Sequence, residues 1–316
     1  MKRFRCPECA SPLWFTNTSC EACSLAVTYD PIDDRFHADR EPCGHRATIE
    51  ECNWVRSPGS AWCRSCQLDT AKDPHQLRRP FQQAKRRTVR QLLGFGVDPA
   101  SHTPELRFDL QAGSDASPVV TGHQDGLITL DVAEAEPALR ERLRTALGEP
   151  YRTPLGHVRH ELGHWWWQAA VGTAFTFDEF REMFGDERQD YAAALEQHYG
   201  SPDHGAWAST HVSHYAASHP WEDFAETFAH VLHMTDTYET ARAHHIVTDD
   251  EPHADFAAFY ERWVDVTMSL NELTRSMGVR DPYPFIVAPE AVAKFEFVHD
   301  VLRNLDVSRS TEASAT

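Results

Sequence analysis

The chain has 316 residues and a formal net charge of −18, long enough for one main domain of about 200 residues with one or two small ones beside it. Residues 1–96 carry 15 Lys and Arg against 11 Asp and Glu, a net of +4 that leaves −22 for the remainder, and so acidic a remainder repels nucleic acid and anionic membrane. No apolar run approaches the roughly 18 residues that span a bilayer, and the opening stretch MKRFRCPECASPLWF lacks the apolar segment of a secretory signal, so a soluble, cytoplasmic protein is expected.

All eight cysteines lie in the first 66 residues. Cys6 with Cys9 and Cys20 with Cys23 form two Cys-x-x-Cys pairs, ten residues apart. Each pair makes a tight knuckle that aims two thiolates at one metal, and two knuckles close a tetrahedral structural zinc site. Cys43, Cys52, Cys63 and Cys66 predict a second such site, with His45 as a rival nitrogen ligand. Disulfides are the alternative for an even number of cysteines, and a reducing cytoplasm disfavours them. Each zinc with four thiolates would add about −2, which cancels the basic excess of the first part. Modules this small bury too little apolar surface to fold alone, so metal binding, about 10 to 16 kcal/mol per structural site, would hold them together. The expected divisions are a zinc ribbon over 1–40, a second cysteine module over 41–70 and a basic linker over 71–96.

The linker contains Pro74 and Pro80 ahead of a short amphipathic helix predicted from about 81 to 94, read as a solvated helix. A nucleic-acid contact is disfavoured there, because no aromatic stacking set accompanies the basic residues. From about residue 104 the texture changes. LRFDL and GLITLDVAEAE alternate apolar with polar residues, as half-buried strands do, with Gly122 and Gly126 bracketing a turn. EPALRERLRTAL follows as a helix, so the large domain, 97–306, is expected to be α+β. Residues 307–316, small and polar, are left as an unstructured tail.

HVRHELGHWWW, residues 157–167, decides the chemistry. On a helix His160 and His164 lie one turn apart on one face and can reach one metal, with Glu161 beside it. Val158, Leu162, Trp165, Trp166 and Ala169 populate the other faces, and a helix so apolar is buried, where a polar stripe must be hydrogen-bonded or bound to metal. The three tryptophans are read as packing. A third ligand should come from a second helix. SHYAASHPWEDFAETFAHVLH supplies one, with Pro220 at the first helical position and Glu222 and Glu226 stacked one turn apart.

His-Glu-x-x-His followed by Glu-x-x-Ala-Glu resembles the gluzincin metallopeptidases, in particular the lethal-factor and Pro-Pro-endopeptidase type. The resemblance implies Glu222 as third zinc ligand and Tyr215, seven residues before it, as an aid to catalysis. The double-knuckle start, CNW at 52–54, TGHQDG, YRTPLGHVRHELGH, FGDERQDY and HPWEDFAETFAHVLH together are similar to a bacterial family described as zinc-binding metallopeptidases with an amino-terminal zinc ribbon, over nearly all the chain to about residue 306. Pro154 stands where that pattern has leucine, which bears only on entry to the helix.

A zincin-like (gluzincin) α+β domain preceded by zinc knuckles is thus expected, with one catalytic and two structural zincs. His160, His164 and Glu222 leave an open position for water, Glu161 takes its proton as general base, and Tyr215 stabilises the oxyanion. Glu226 is the candidate acceptor for the far nitrogen of a ligand histidine. The substrate would be a peptide or protein, the strand over 127–133 is a candidate edge for pairing an extended peptide, and the zinc-ribbon region could recruit a protein partner. The dense charges of FGDERQDYAAALEQHYG are assigned no catalytic role. The alternative is a catalytically silent, zinc-containing scaffold that binds proteins.

Overall fold

The computed structural model describes residues 1–49, 51–72, 78–113, 119–201, 205–247 and 255–313, with backbone alone for 304–313. By contact the chain forms two compact units, Met1–Leu147 with Arg152–Val158 and Glu239–Thr248, and Gly148–Tyr151 with Arg159–Tyr238 and Asp249–Thr316. Pro74 and tail residues 314–316 lie outside the described residues.

The first unit opens on two antiparallel ribbons, β1 (Phe4–Arg5) with β2 (Pro12–Leu13) and β3 (Thr28–Asp30) with β4 (Arg35–His37). Its two knuckles are built alike. Cys6 N–H donates to Ser11 O and Cys20 N–H to Leu25 O, both at 2.8 Å, and Ala10 and Ser24 turn the chain with φ of 58° and 61°. Phe4, Phe15, Tyr29, Phe36 and Trp54 pack a common aromatic core beneath them. Tyr29 N–H donates to Asn53 O at 2.7 Å and Val55 N–H to Tyr29 O at 2.8 Å, so the second cysteine module is stitched to the first through backbone. That module ends in the one-turn helix α1 (Arg64–Gln67).

Helix α2 (Arg78–Gly94) begins three residues earlier than expected and, contrary to the solvated reading, is packed. Phe81, Ala84, Val89 and Leu92 are buried, and so are Lys85, Arg86 and Arg90. The cations can be buried because each meets opposite charge. Lys85 pairs with Asp69, which also accepts from Gln82 Nε2 at 2.8 Å. Arg90 forks onto Asp34 and Glu239 with contacts between 2.7 and 3.1 Å. Charges buried in such pairs present no face to nucleic acid.

Next come β5 (Arg107–Gln111), β6 (Gly122–Gln124) and β7 (Leu127–Asp131), in the sheet order β5-β7-β6. Asp125 and Gly126, with φ of 46° and 81°, make the two-residue turn that an Asp-Gly pair favours. The alternation expected of β5 and β7 is present, with Phe108 and Leu110 buried on one and Ile128 and Leu130 on the other, whereas β6 lies in the stretch read as a turn. The expectation that β7 is an open edge is corrected: it is parallel to β5 and antiparallel to β6, so residues 127–129 are already paired on both sides. Helix α3 (Pro137–Ala146) follows.

The second unit is built on helices: α4 (Pro154–Ala170) from Arg159 onward, α5 (Phe177–Phe184), α6 (Tyr191–Gly200), α7 (Pro220–Ala243) as far as Tyr238, α8 (Phe256–Ser276) and α9 (Pro289–Ala313). Pro154 and Pro220 are the first residues of their helices, where a missing N–H costs nothing. α9 runs on through residues 307–313, read from sequence as an unstructured tail; no proline or glycine interrupts residues 290–313. Trp165, Trp166 and Trp167 are all buried, and Trp167 packs its edge on Phe180 and Trp221, which is the packing role expected of them. Among the described residues no helix is long and apolar enough to cross a membrane.

Two buried ion pairs tie these helices together. Arg159, 1% exposed, donates to Asp236 at 2.6 Å and contacts His233 Nδ1 at 2.6 Å, joining α4 to α7. Lys294 donates to Asp223 at 2.6 Å and to Thr210 O at 2.9 Å, joining α9 to α7. Removing one partner of such a pair costs about 3–5 kcal/mol, because the other charge stays buried.

Candidate metal centre and active site

The crossing of α4 and α7 brings the motif residues together. A Cβ on Gly163 would lie 2.7 Å from Ala225 Cα and 3.0 Å from Ala225 O, so the helices touch backbone to backbone at the midpoint of the histidine motif. Side chains on either side of that contact are then short enough to meet. We expect Gly163→Ala to push the helices apart, lower stability by about 1–3 kcal/mol as overpacking does, and weaken zinc retention at the histidines; thermal melting with a zinc count would check both.

His160 Nε2 lies 3.0 Å from Glu222 Oε2, His164 Nε2 lies 3.4 Å from the same oxygen, and the two histidine nitrogens are 3.2 Å apart. Zinc bonds of about 2.0–2.1 Å to nitrogen and oxygen, in tetrahedral geometry, set ligand atoms about 3.3 Å apart. The triangle has that size. Its charges favour a cation: burial alone would depress the His160 pKa, yet Glu222 and Glu226 raise it well above its usual value. Likewise burial would raise the Glu222 carboxyl, yet His164 and His160 hold it well below the usual range. Two imidazoles and one carboxylate suit zinc.

Each of these groups is held from behind. His160 Nδ1 contacts Glu226 Oε1 at 2.8 Å, and Glu226 Oε2 accepts from Ser213 Oγ at 2.7 Å. Trp221 sets its ring edgewise on His164, with centroids 5.7 Å apart. The far oxygen of Glu222, Oε1, accepts from Tyr191 at 2.6 Å. Sequence reasoning anticipated Glu226 and missed Ser213, Trp221 and Tyr191, none of which stands in a spacing that marks it.

Glu161 is 7% exposed, and its Oε2 has no hydrogen-bond partner among the described residues. Burial raises its pKa, against the pull of His160 and His164. Tyr215, in a short turn of helix over Tyr215–Ser218, stands with its ring 5.8 Å from that of His160. Burial and the neighbouring Glu222 push its hydroxyl pKa up, so it stays protonated and able to donate. His157, the first residue of the stretch HVRHELGHWWW, lies 3.7 Å from Glu134 in the first unit.

The cysteines form two further groups, each with sulfurs within 4.8 Å of one another: Cys6, Cys9, Cys20 and Cys23, and Cys43, Cys52, Cys63 and Cys66. Cys6 and Cys23 are 3.7 Å apart and Cys9 and Cys20 3.6 Å, with Cys52 and Cys63 at 3.7 Å. Zinc–sulfur bonds of about 2.3 Å predict about 3.8 Å. His45, the rival ligand, is not in the second group: its Nε2 contacts Lys72 O at 2.9 Å, its ring packs on Trp62, and its side chain hydrogen-bonds Cys66. Cys9 and Cys23 are exposed, whereas all four cysteines of the second group are buried. Arg86, 2% exposed, lies in the field of all four, which raises its pKa against burial. It offsets part of the thiolate charge.

Residues 76–301 match the family described as "Putative zinc-binding metallo-peptidase". The chain belongs to that family. Residues 3–41 of this family member match a zinc-ribbon domain. It is 36% identical to uncharacterised proteins of Mycobacterium bovis and of two Mycobacterium tuberculosis strains, over 96% of this chain and 95% of each relative. No solved structure matches the chain.

Proposed function

We propose that the protein is a zinc-dependent peptidase of the gluzincin type, acting on peptides or proteins in the cytoplasm. The observation that carries the proposal is the triangle of His160, His164 and Glu222 at zinc-ligand spacing, with an unpartnered buried oxygen of Glu161 beside it. A zinc ion held by those three side chains would polarise the scissile carbonyl and acidify water at the site.

The chain's own residues do the rest. Glu161 removes the proton from the attacking water and returns it to the leaving amine; its buried position, which raises its pKa, suits it to carry a proton between the two steps. Tyr215 donates a hydrogen bond to the oxyanion of the tetrahedral intermediate. Glu226, itself fixed by Ser213, keeps the Nδ1 proton of His160 in place, so that Nε2 presents its lone pair to the metal. Zinc held by the two cysteine quartets would hold structure, with four protein ligands at each site and no open position, and the exposed ribbon is where a protein partner would dock.

Elemental analysis tests the count. Wild type should carry about three zincs per chain, and His160→Ala combined with Glu222→Ala about two. An unchanged count would assign all the metal to the cysteines and end the peptidase proposal.

A further inference from the structure

The segment FGDERQDY, given no role above, delivers a tyrosine to the metal centre. Its charges pair locally: Asp186 takes Arg188 through Nε and Nη2 at 2.7 and 2.8 Å, and Glu187 takes Arg181 of α5 at 2.9 and 2.5 Å. The turn so held ends at Asp190, which caps α6 by accepting from Ala193 N–H at 3.0 Å. Tyr191 is the first residue of that helix. Its ring stands edgewise on His219 and Trp221, centroids 5.2 and 6.4 Å away, and His219 Nε2 contacts Gln189 O at 3.3 Å. The hydroxyl donates to Glu222 Oε1 at 2.6 Å and also has a side-chain hydrogen bond with Tyr215.

We infer that Tyr191 is a positioning residue that makes Glu222 a one-oxygen ligand and so keeps the fourth position of the metal open to the reacting groups. A carboxylate can bind a metal through one oxygen or two, and a two-oxygen grip would fill the space that a catalytic zinc leaves for water. In this site Oε2 faces both histidine nitrogens while Oε1 is taken by the tyrosine. The inference rests on the peptidase reading of the same three ligands.

The test is a zinc titration of the full-length chain against a competing chelator, on wild type, Tyr191→Phe and His160→Ala. Phe keeps the ring against His219 and Trp221 and removes only the hydroxyl. Tyr191→Phe should retain both cysteine zincs and bind the third about 10- to 100-fold more weakly, the range seen when partners behind metal ligands are removed. A second readout replaces zinc by cobalt and takes the difference spectrum against His160→Ala, which subtracts the cysteine sites. Wild type should give the intense visible band of four-coordinate cobalt, and Tyr191→Phe the weaker band of five-coordinate cobalt as Glu222 turns both oxygens inward. Unchanged affinity and an unchanged band would overturn the inference while leaving the three-ligand site standing. A His160→Ala chain that still binds three zincs would instead remove the site, and the inference with it.

Discussion

Glu161→Gln should bind three zincs as wild type does and cleave peptides about 10²- to 10⁴-fold more slowly, the usual contribution of a positioned general acid–base group. The substitution is nearly isosteric, and Glu161 is 7% exposed, so little repacking is expected. What changes is that an amide cannot accept a proton from water. Glu161 is not among the three side chains at ligand spacing, which is why metal content should survive. A peptide-library assay with parallel zinc counts separates the two functional readings. If wild type binds peptides without cutting them, and Glu161→Gln binds equally well, the chain is a scaffold. Wild-type cleavage by Glu161→Gln would exclude Glu161 from the chemistry.

Cys52→Ser should unfold much of the first unit. Cys52 is 0% exposed, and its partners Cys43, Cys63 and Cys66 are buried with it. A structural zinc contributes about 10 to 16 kcal/mol to a small module, as much as the about 5–15 kcal/mol that separates a typical domain from its unfolded state. The loss is aggravated by Arg86, whose buried charge is offset by these thiolates and would be left uncompensated. Backbone ties such as Tyr29 to Asn53 would carry the disorder into the ribbon. Far-ultraviolet circular dichroism on heating, with a zinc count, reads the outcome. A variant that kept every zinc and melted with wild type would show that the second quartet does not hold the unit together.

Much of the candidate site was legible because its signals are local. Histidines four apart on a helix, glutamates four apart on another, and cysteines in knuckle spacing each declare a geometry within a few residues. His160, His164, Glu222 and Glu226 meet as that spacing suggests, and the cysteines meet as two quartets. Strand alternation is equally local, and β5 and β7 stand where it puts them, whereas β6 (Gly122–Gln124) lies in the stretch read as a turn, which is confined to Asp125 and Gly126.

Alternation says which face of a strand is buried and nothing about its neighbours, so β7 could be read as an edge until its pairing with β5 and β6 was seen. The same limit hid the burial of α2: a run of Lys and Arg reads as solvated unless Asp34, Asp69 and Glu239 are known to face it.

The amino-acid sequence by itself determined the ligand types, their pairing along each helix and the cysteine framework, because those depend on backbone periodicity and side-chain chemistry. Only the tertiary structure decided that Gly163 rests on Ala225 and lets the two helices close on one point, and that Tyr191 reaches Glu222 across 31 residues of chain. Such contacts are selected by the packing of whole helices, and no short stretch of sequence encodes them.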